Sequence, residues 1–232
     1  MQTIQGDGFL VTVIKSSRRK TTALKIKEGE VSIHIPTRLP LMYAREFIVQ
    51  KTPWIQTKLS DQALKKTIEK QFINGEDFTF LDKKYSLQLI QTETSPSVIK
   101  TSAEIEVRGR LNRLSQTAIR AALVRWYKQQ AEQYLTSRTT ALADKINLVP
   151  HSITVKTYKA RWGSCGIQGD VQFNWKLILA PPDIIDYVII HELCHIKHHN
   201  HSANFWQLVA HHYPTFRASR AWLKTNGYRL EL

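Results

Sequence analysis

The sequence predicts an α+β protein, with a β-rich N-terminal part followed by a core organised around one helix that carries His-Glu-x-x-His. Three observations predict it. Short β-branched runs punctuated by turn residues recur on both sides of a helical stretch in the first 110 positions, apolar residues switch to helical spacing from Gln116, and an apolar run after Pro181-Pro182 ends in His191-Glu192-Leu193-Cys194-His195.

Taken in order, Phe9 to Ile14, Thr22 to Ile26 and Val31 to Ile35 have strand composition, with Gly29 at a turn, and read as a meander. From Leu41 to about Lys70 the positions Ala44, Phe47, Ile48, Ile55 and Leu59 have helical spacing, and Pro53 is expected to break the segment into a helical pair. Gly75 opens a second β-rich stretch with strands at Phe78 to Phe80, Tyr85 to Ile90, Ser97 to Lys100 and Ile105 to Val107. The polar join from Gly109 to Ser115 is the natural boundary. It divides the chain into 1–114, a β-rich region with a helical pair, and 115–232, the metal-site core; no internal repeat is visible. Ile119, Ala122, Leu123, Trp126, Tyr127 and Ala131 then define a long helix reaching about Ile146. Strands at Ile153 to Tyr158 and Val171 to Leu179 flank the tight segment Arg161-Trp162-Gly163-Ser164-Cys165-Gly166. The two prolines and Asp183 suit a helix start.

Composition narrows the function classes. Lys and Arg number 33 against 19 Asp and Glu, a formal charge of +14, while 42% of residues are hydrophobic, so a normal core is available and a disordered polybasic tail is excluded. The excess is spread, with 24 bases and 14 acids up to Ile146 and 9 and 5 from Asn147 onward. It reads as a surface field that attracts a nucleotide or other polyanion, or only as solubilising charge. No apolar run approaches the roughly 20 residues of a membrane helix, and the first residues lack a signal-peptide pattern. Cys165 and Cys194 are too few for a disulfide framework, which points to free thiols in a reducing cytoplasm.

Four residues along a helix turn the chain by about 400°, so His191 and His195 share a face and two imidazoles can bind one metal ion. Glu192 stands beside them, placed to take a proton from water without being a ligand. Seven of the nine histidines lie between His191 and His212. A catalytic zinc ion takes three protein ligands. After Glu192 the sole acid is Glu231, so the third ligand should be histidine. His201 closes the set if the helix ends near Asn200 and the chain turns back; His211 or His212 can do so only from the next helix. The spacing is that of metzincins, but His198 stands where their turn glycine would be and no Met-turn exists, since the methionines are Met1 and Met42.

Arg161-Trp162-Gly163-Ser164-Cys165, Phe173-Asn174-Trp175-Lys176-Leu177, Tyr187-Val188 leading into His191-Glu192-Leu193-Cys194-His195, Asn200-His201-Ser202 with Phe205-Trp206, and Trp222-Leu223 together resemble the YgjP-like metallopeptidase-domain family, related to the SprT-like and WLM zincins. The resemblance spans about Val155 to Gly227. It implies a zincin-like core, Zn2+ held by His191, His195 and His201, Glu192 as catalytic acid/base, and a peptide or protein substrate. It also places Arg161 beside the cleft, suited to bind a substrate carboxylate or phosphate; the alternative for Arg161 is a structural tie to Asp183 or Asp186. Two other readings stand beside the peptidase: hydrolysis of a phosphoanhydride such as a nucleoside triphosphate, and a nucleic-acid-associated protein. No Gly-rich phosphate loop supports the first and no nucleic-acid-binding motif the second. Trp162, Trp175, Phe205, Trp206 and Trp222 are expected in the core.

Overall fold

The computed structural model describes residues 2–66, 70–110 and 115–232. They form two compact units, Met1–Glu69 and Lys70–Leu232.

In the first unit, strands β1 (Gln2–Gln5), β2 (Leu10–Ser16), β3 (Ala23–Lys27) and β4 (Glu30–Pro36) form one sheet in the order β1-β2-β4-β3. Val11, Val13, Ile33 and Ile35 alternate onto its buried face, as a period of two requires. The meander read from sequence is not formed. β2 and β4 pair in parallel with Val13 opposite Ile33, and β3 lies at the edge, antiparallel to β4. The β3–β4 connection is a tight turn, where Glu28 and Gly29 both take positive φ (53° and 85°), the geometry that matches strand twist.

Helix α1 (Leu41–Lys66) covers this sheet with Ala44, Ile48 and Ile55. It runs unbroken through Pro53, a correction to the expected helical pair. Pro53 is exposed, so the carbonyl it deprives of a partner, that of Val49, lies on the side of the helix where water can solvate it. Thr52 and Thr57 hydroxyls donate to the carbonyls of Ile48 and Pro53 around the same turn. The last residues of the segment expected to reach Lys70 lie outside the described residues.

The second unit begins with β5 (Asp77–Phe80), β6 (Lys83–Gln91), β7 (Ser97–Lys100) and β8 (Glu104–Gly109), in the order β5-β6-β8-β7, followed by α2 (Gln116–Ile146). Ser115 caps α2 by accepting from the Ala118 amide, and Asn147 ends it in the left-handed region. One core joins Phe78, Leu87 and Ile105 of the sheet to Leu123, Tyr127 and Leu135 of α2 and to the helix that follows. The division expected at 114/115 therefore falls inside this unit, while the compact units part at 69/70. Positions 111–114 of that join lie outside the described residues.

A third sheet contains β9 (Ser152–Lys156), β10 (Gly163–Cys165) and β11 (Asp170–Asn174), in the order β10-β11-β9. In all three sheets two strands pair in parallel while the strand between them in sequence folds antiparallel to an edge: β2∥β4 with β3, β6∥β8 with β7, β9∥β11 with β10. The chain thus repeats a topology that its sequence does not display. β11 stops at Asn174 rather than running to Leu179, because the Asn174 side chain accepts from the Lys176 amide and caps a 3-10 helix, Trp175–Leu179.

Three helices complete the unit: α3 (Pro182–Cys194), α4 (Ala203–His212) and α5 (Phe216–Asn226). α3 starts on Pro182 with Asp183 in its first turn, and Ile185, Ile189 and Leu193 are fully buried. Each such side chain contributes about 1.5–3 kcal/mol of burial. Arg138 of α2 grips Asp186 of α3 through two bonds of 2.7 and 2.6 Å, fixing the start of the helix whose other end bears the histidines. Among the described residues no helix is long and apolar enough to cross a membrane.

Candidate metal centre

Helix α3 ends at Cys194, earlier than the end near Asn200 that the sequence suggests. His195 is its C-cap, and the Lys197 and His198 amides both donate to the Cys194 carbonyl, closing a tight turn. The chain is turned back by His195 itself, whose Nδ1 lies 2.9 Å from the His198 carbonyl oxygen. A carbonyl only accepts, so Nδ1 carries the proton and the Nε2 lone pair is left for a metal. No residue from 195 to 201 has positive φ, so His198 can stand where metzincins keep a glycine.

After this turn His201 returns to the helix. Asn200 accepts from the Ser202 amide, and Ser202 caps α4 by accepting from the Phe205 amide. His201 Nε2 comes to 3.1 Å from His191 Nε2, and one ring nitrogen from each of His191, His195 and His201 lies within 4.8 Å of the others. Two ligands of one tetrahedral zinc ion, each at ~2.0–2.1 Å, would be separated by roughly 3.3 Å, so the donor set fits. His211 and His212 pack against each other in the last turn of α4, apart from this group. Among the described residues no other set of three His, Cys, Asp or Glu side chains converges in this way.

Aromatic packing holds the rings. Phe205 is fully buried and stacks on His195 at 4.4 Å, with its edge toward His191 and His201. Trp206 stacks on His201 at 5.5 Å and 21°. His191 has no hydrogen-bond partner for its buried Nδ1, so its orientation rests on Phe205 and Tyr187. Burial, then the neighbouring His195 and His201, then Arg220, lowers the His191 pKa from 6.5 to about 3, and burial lowers that of His195. Both imidazoles are therefore neutral, the state that binds metal. Phe205 and Trp206 were expected as core; their packing on the ligand rings has no separate signature in sequence.

Glu192 is 6% exposed and lies against β10. Burial pushes its carboxyl from 4.5 up to about 8, and the Arg161 cation opposes that rise. Arg161 is exposed over the Tyr158 ring at 5.5 Å. The structural tie weighed for it is not made: Asp186 is taken by Arg138, and among the described residues Arg161 has no ion pair with Asp183. Gly163, next to Arg161-Trp162, leaves room for Glu192. Asn174, almost wholly buried, donates to the carbonyls of Tyr158 and Arg161 and holds the loop before β10. Both lie in motifs the sequence singled out, but their contacts become visible only in three dimensions. Cys165 is raised to about 11 and Cys194 to about 12, chiefly by burial, so neither is a thiolate at neutral pH.

An α+β fold whose last unit presents convergent histidines beside a buried glutamate defines a metal-dependent hydrolase of the metallopeptidase class. The chain belongs to the YgjP-like family, matching its metallopeptidase domain over residues 20–226. Among solved structures it is similar to the metallopeptidase zymogen abylysin of Pyrococcus abyssi, at 18% identity over 40% of this chain and 92% of that one, with a TM-score of 0.36. It is also similar to the zymogen jannalysin of Methanocaldococcus jannaschii, at 19% identity over 39% and 92%, with a TM-score of 0.35. No curated protein matches it.

Proposed function

We propose that the chain is a zinc peptidase acting on peptides or proteins, with His191, His195 and His201 holding the ion and Glu192 as general base. The observation that carries this is the convergence of three imidazoles, with a buried carboxyl one residue along the helix from the first of them. Three nitrogen ligands suit zinc better than magnesium, which prefers carboxylate and water oxygens.

When bound, the metal ion supplies a Lewis acid that polarises the scissile carbonyl and acidifies water. Glu192 takes the proton of the attacking water and returns it to the leaving amine; its raised affinity for a proton matches that task near neutral pH. β10 is an edge strand of its sheet and lies beside Glu192, so an extended peptide can pair with it and bring a backbone carbonyl to the site. Arg161 is assigned to a substrate carboxylate or phosphate near the cleft. Free Cys165 and Cys194 accord with a reducing cytoplasm.

The test compares zinc-loaded wild type with Glu192→Gln on casein and on nucleoside triphosphates. Retained zinc with peptide hydrolysis reduced about 10²-fold or more is expected. Full hydrolysis by Glu192→Gln overturns the role of Glu192, and Glu192-dependent cleavage of nucleotides alone replaces the peptide substrate. DNA binding that falls steeply with salt would bring in the nucleic-acid reading.

A further inference from the structure

Beside the histidine group, α5 carries a second cluster that the mechanism does not use. A pocket of about 750 Å³ is lined by Trp206, Phe216, Arg217, Arg220, Ala221 and Lys224. Its aromatic wall is Trp206, which stacks on Phe216 at 5.4 Å and on His201 at 5.5 Å. The Arg220 guanidinium lies 4.9 Å from the Trp206 ring centroid and that of Arg217 5.2 Å from Phe216. Arg217, Arg220 and Lys224 follow the helical spacing of three and four, so they share one face. All are exposed, and among the described residues none forms an ion pair.

This arrangement costs the helix stability. Like charges at these spacings repel, and Arg217 stands in a first turn that has no acid, at the positive end of the helix. A bound anion relieves both. A guanidinium offers a two-pronged bond, which a planar carboxylate accepts.

We propose that the α5 pocket is a subsite for a carboxylate of the substrate peptide, held by Arg220 with Arg217 and Lys224 around it. Trp206 separates it from His201 by a single ring, so at about 3.3 Å per extended residue the acidic group sits two or three residues from the bond cleaved. The proposal rests on the peptidase reading, and its test separates the two.

Binding is read first, by fluorescence anisotropy of labelled hexaglutamate and hexaglutamine on the full-length Glu192→Gln protein. The glutamate peptide should bind about 10-fold tighter or more, and the preference should fall to within about 2-fold in a protein also carrying Arg217→Gln, Arg220→Gln and Lys224→Gln. A control carrying Lys15→Gln, Lys25→Gln and Lys20→Gln, with the same change of charge, should keep the preference. Amidated peptides tell a side-chain carboxylate from a chain terminus. Equal binding of the two peptides, a preference that survives the α5 changes, or one lost equally in the control overturns the subsite. So does tighter Arg220-dependent binding of an oligonucleotide of equal charge, which assigns the pocket to phosphate. Cleavage by zinc-loaded wild type is read separately: peptides cut without acidic preference sink the subsite and leave the peptidase, whereas Arg220-dependent binding without any cleavage does the reverse.

Discussion

A β-carbon placed on Gly163 would lie 2.6 Å from Oε1 and 2.7 Å from Cγ of Glu192, so the backbone of β10 and the carboxyl of α3 pack with no room for a side chain between them. No side chain fits there without moving Glu192. Gly163→Ala should leave the histidines and zinc content intact while lowering kcat about 10- to 100-fold, because a displaced general base loses most of its contribution. Zinc analysis with steady-state peptide hydrolysis checks it. Unchanged kcat would show that Glu192 has room to work elsewhere.

The 3.1 Å approach of His201 to His191 makes His201 the third ligand in our proposal, against His211 and His212 on the next helix. His201→Ala should lower zinc affinity by orders of magnitude and His211→Ala should leave it unchanged. Metal content after dialysis against a weak chelator decides; zinc lost through His211→Ala instead would reassign the ligand.

Much of this site was legible because helical periodicity is a local rule. The spacing of His191 and His195 and the scarcity of acids after Glu192 both follow from counting along the chain, and α2 begins and ends where its apolar face and caps place it. Other features depend on partners distant in sequence. Alternation marks β2 and β4 as strands but does not say that they pair in parallel past β3, and α1 tolerates Pro53 because that side faces solvent. The turn at His195 depends on a side-chain bond to the His198 carbonyl, which competes with the helix and which no periodicity records.

Asn174 donates to the carbonyls of Tyr158 and Arg161 at 3.1 and 3.2 Å and accepts from the Lys176 amide. Asn174→Ala removes all three partners at a site 3% exposed, and should cost on the order of 2 kcal/mol in denaturant unfolding. Because the same loop leads into Gly163, hydrolysis should fall as well. Asn174→Asp keeps the acceptor and loses the donors, so it should not rescue. A fully stable, fully active Asn174→Ala protein would show that the loop is held by β10 and β11 alone.

The buried carboxyl also sets how the metal-free protein responds to pH. Burial raises the Glu192 pKa from 4.5 to about 8, so in this range the folded chain binds a proton that the unfolded chain does not. Its stabilising contribution is complete below about pH 4.5 and is lost as pH rises through about 8. His191 acts on the other side. Its pKa is lowered from 6.5 to about 3, so the unfolded chain takes up the extra proton, and stability falls as pH drops below about 6.5. Chelator-treated wild type should therefore melt highest between about pH 4.5 and 6.5, where the two opposing trends offset each other. Glu192→Gln, which carries no charge to bury, should keep its Tm as pH rises from 6 to 9, while wild type loses at least about 2 °C relative to it. Adding zinc should raise the Tm of both proteins through binding to the folded state. Calorimetry of the two proteins across this range, with and without zinc, measures all of these; parallel alkaline decline in wild type and Glu192→Gln would mean that the carboxyl is already ionised beside β10.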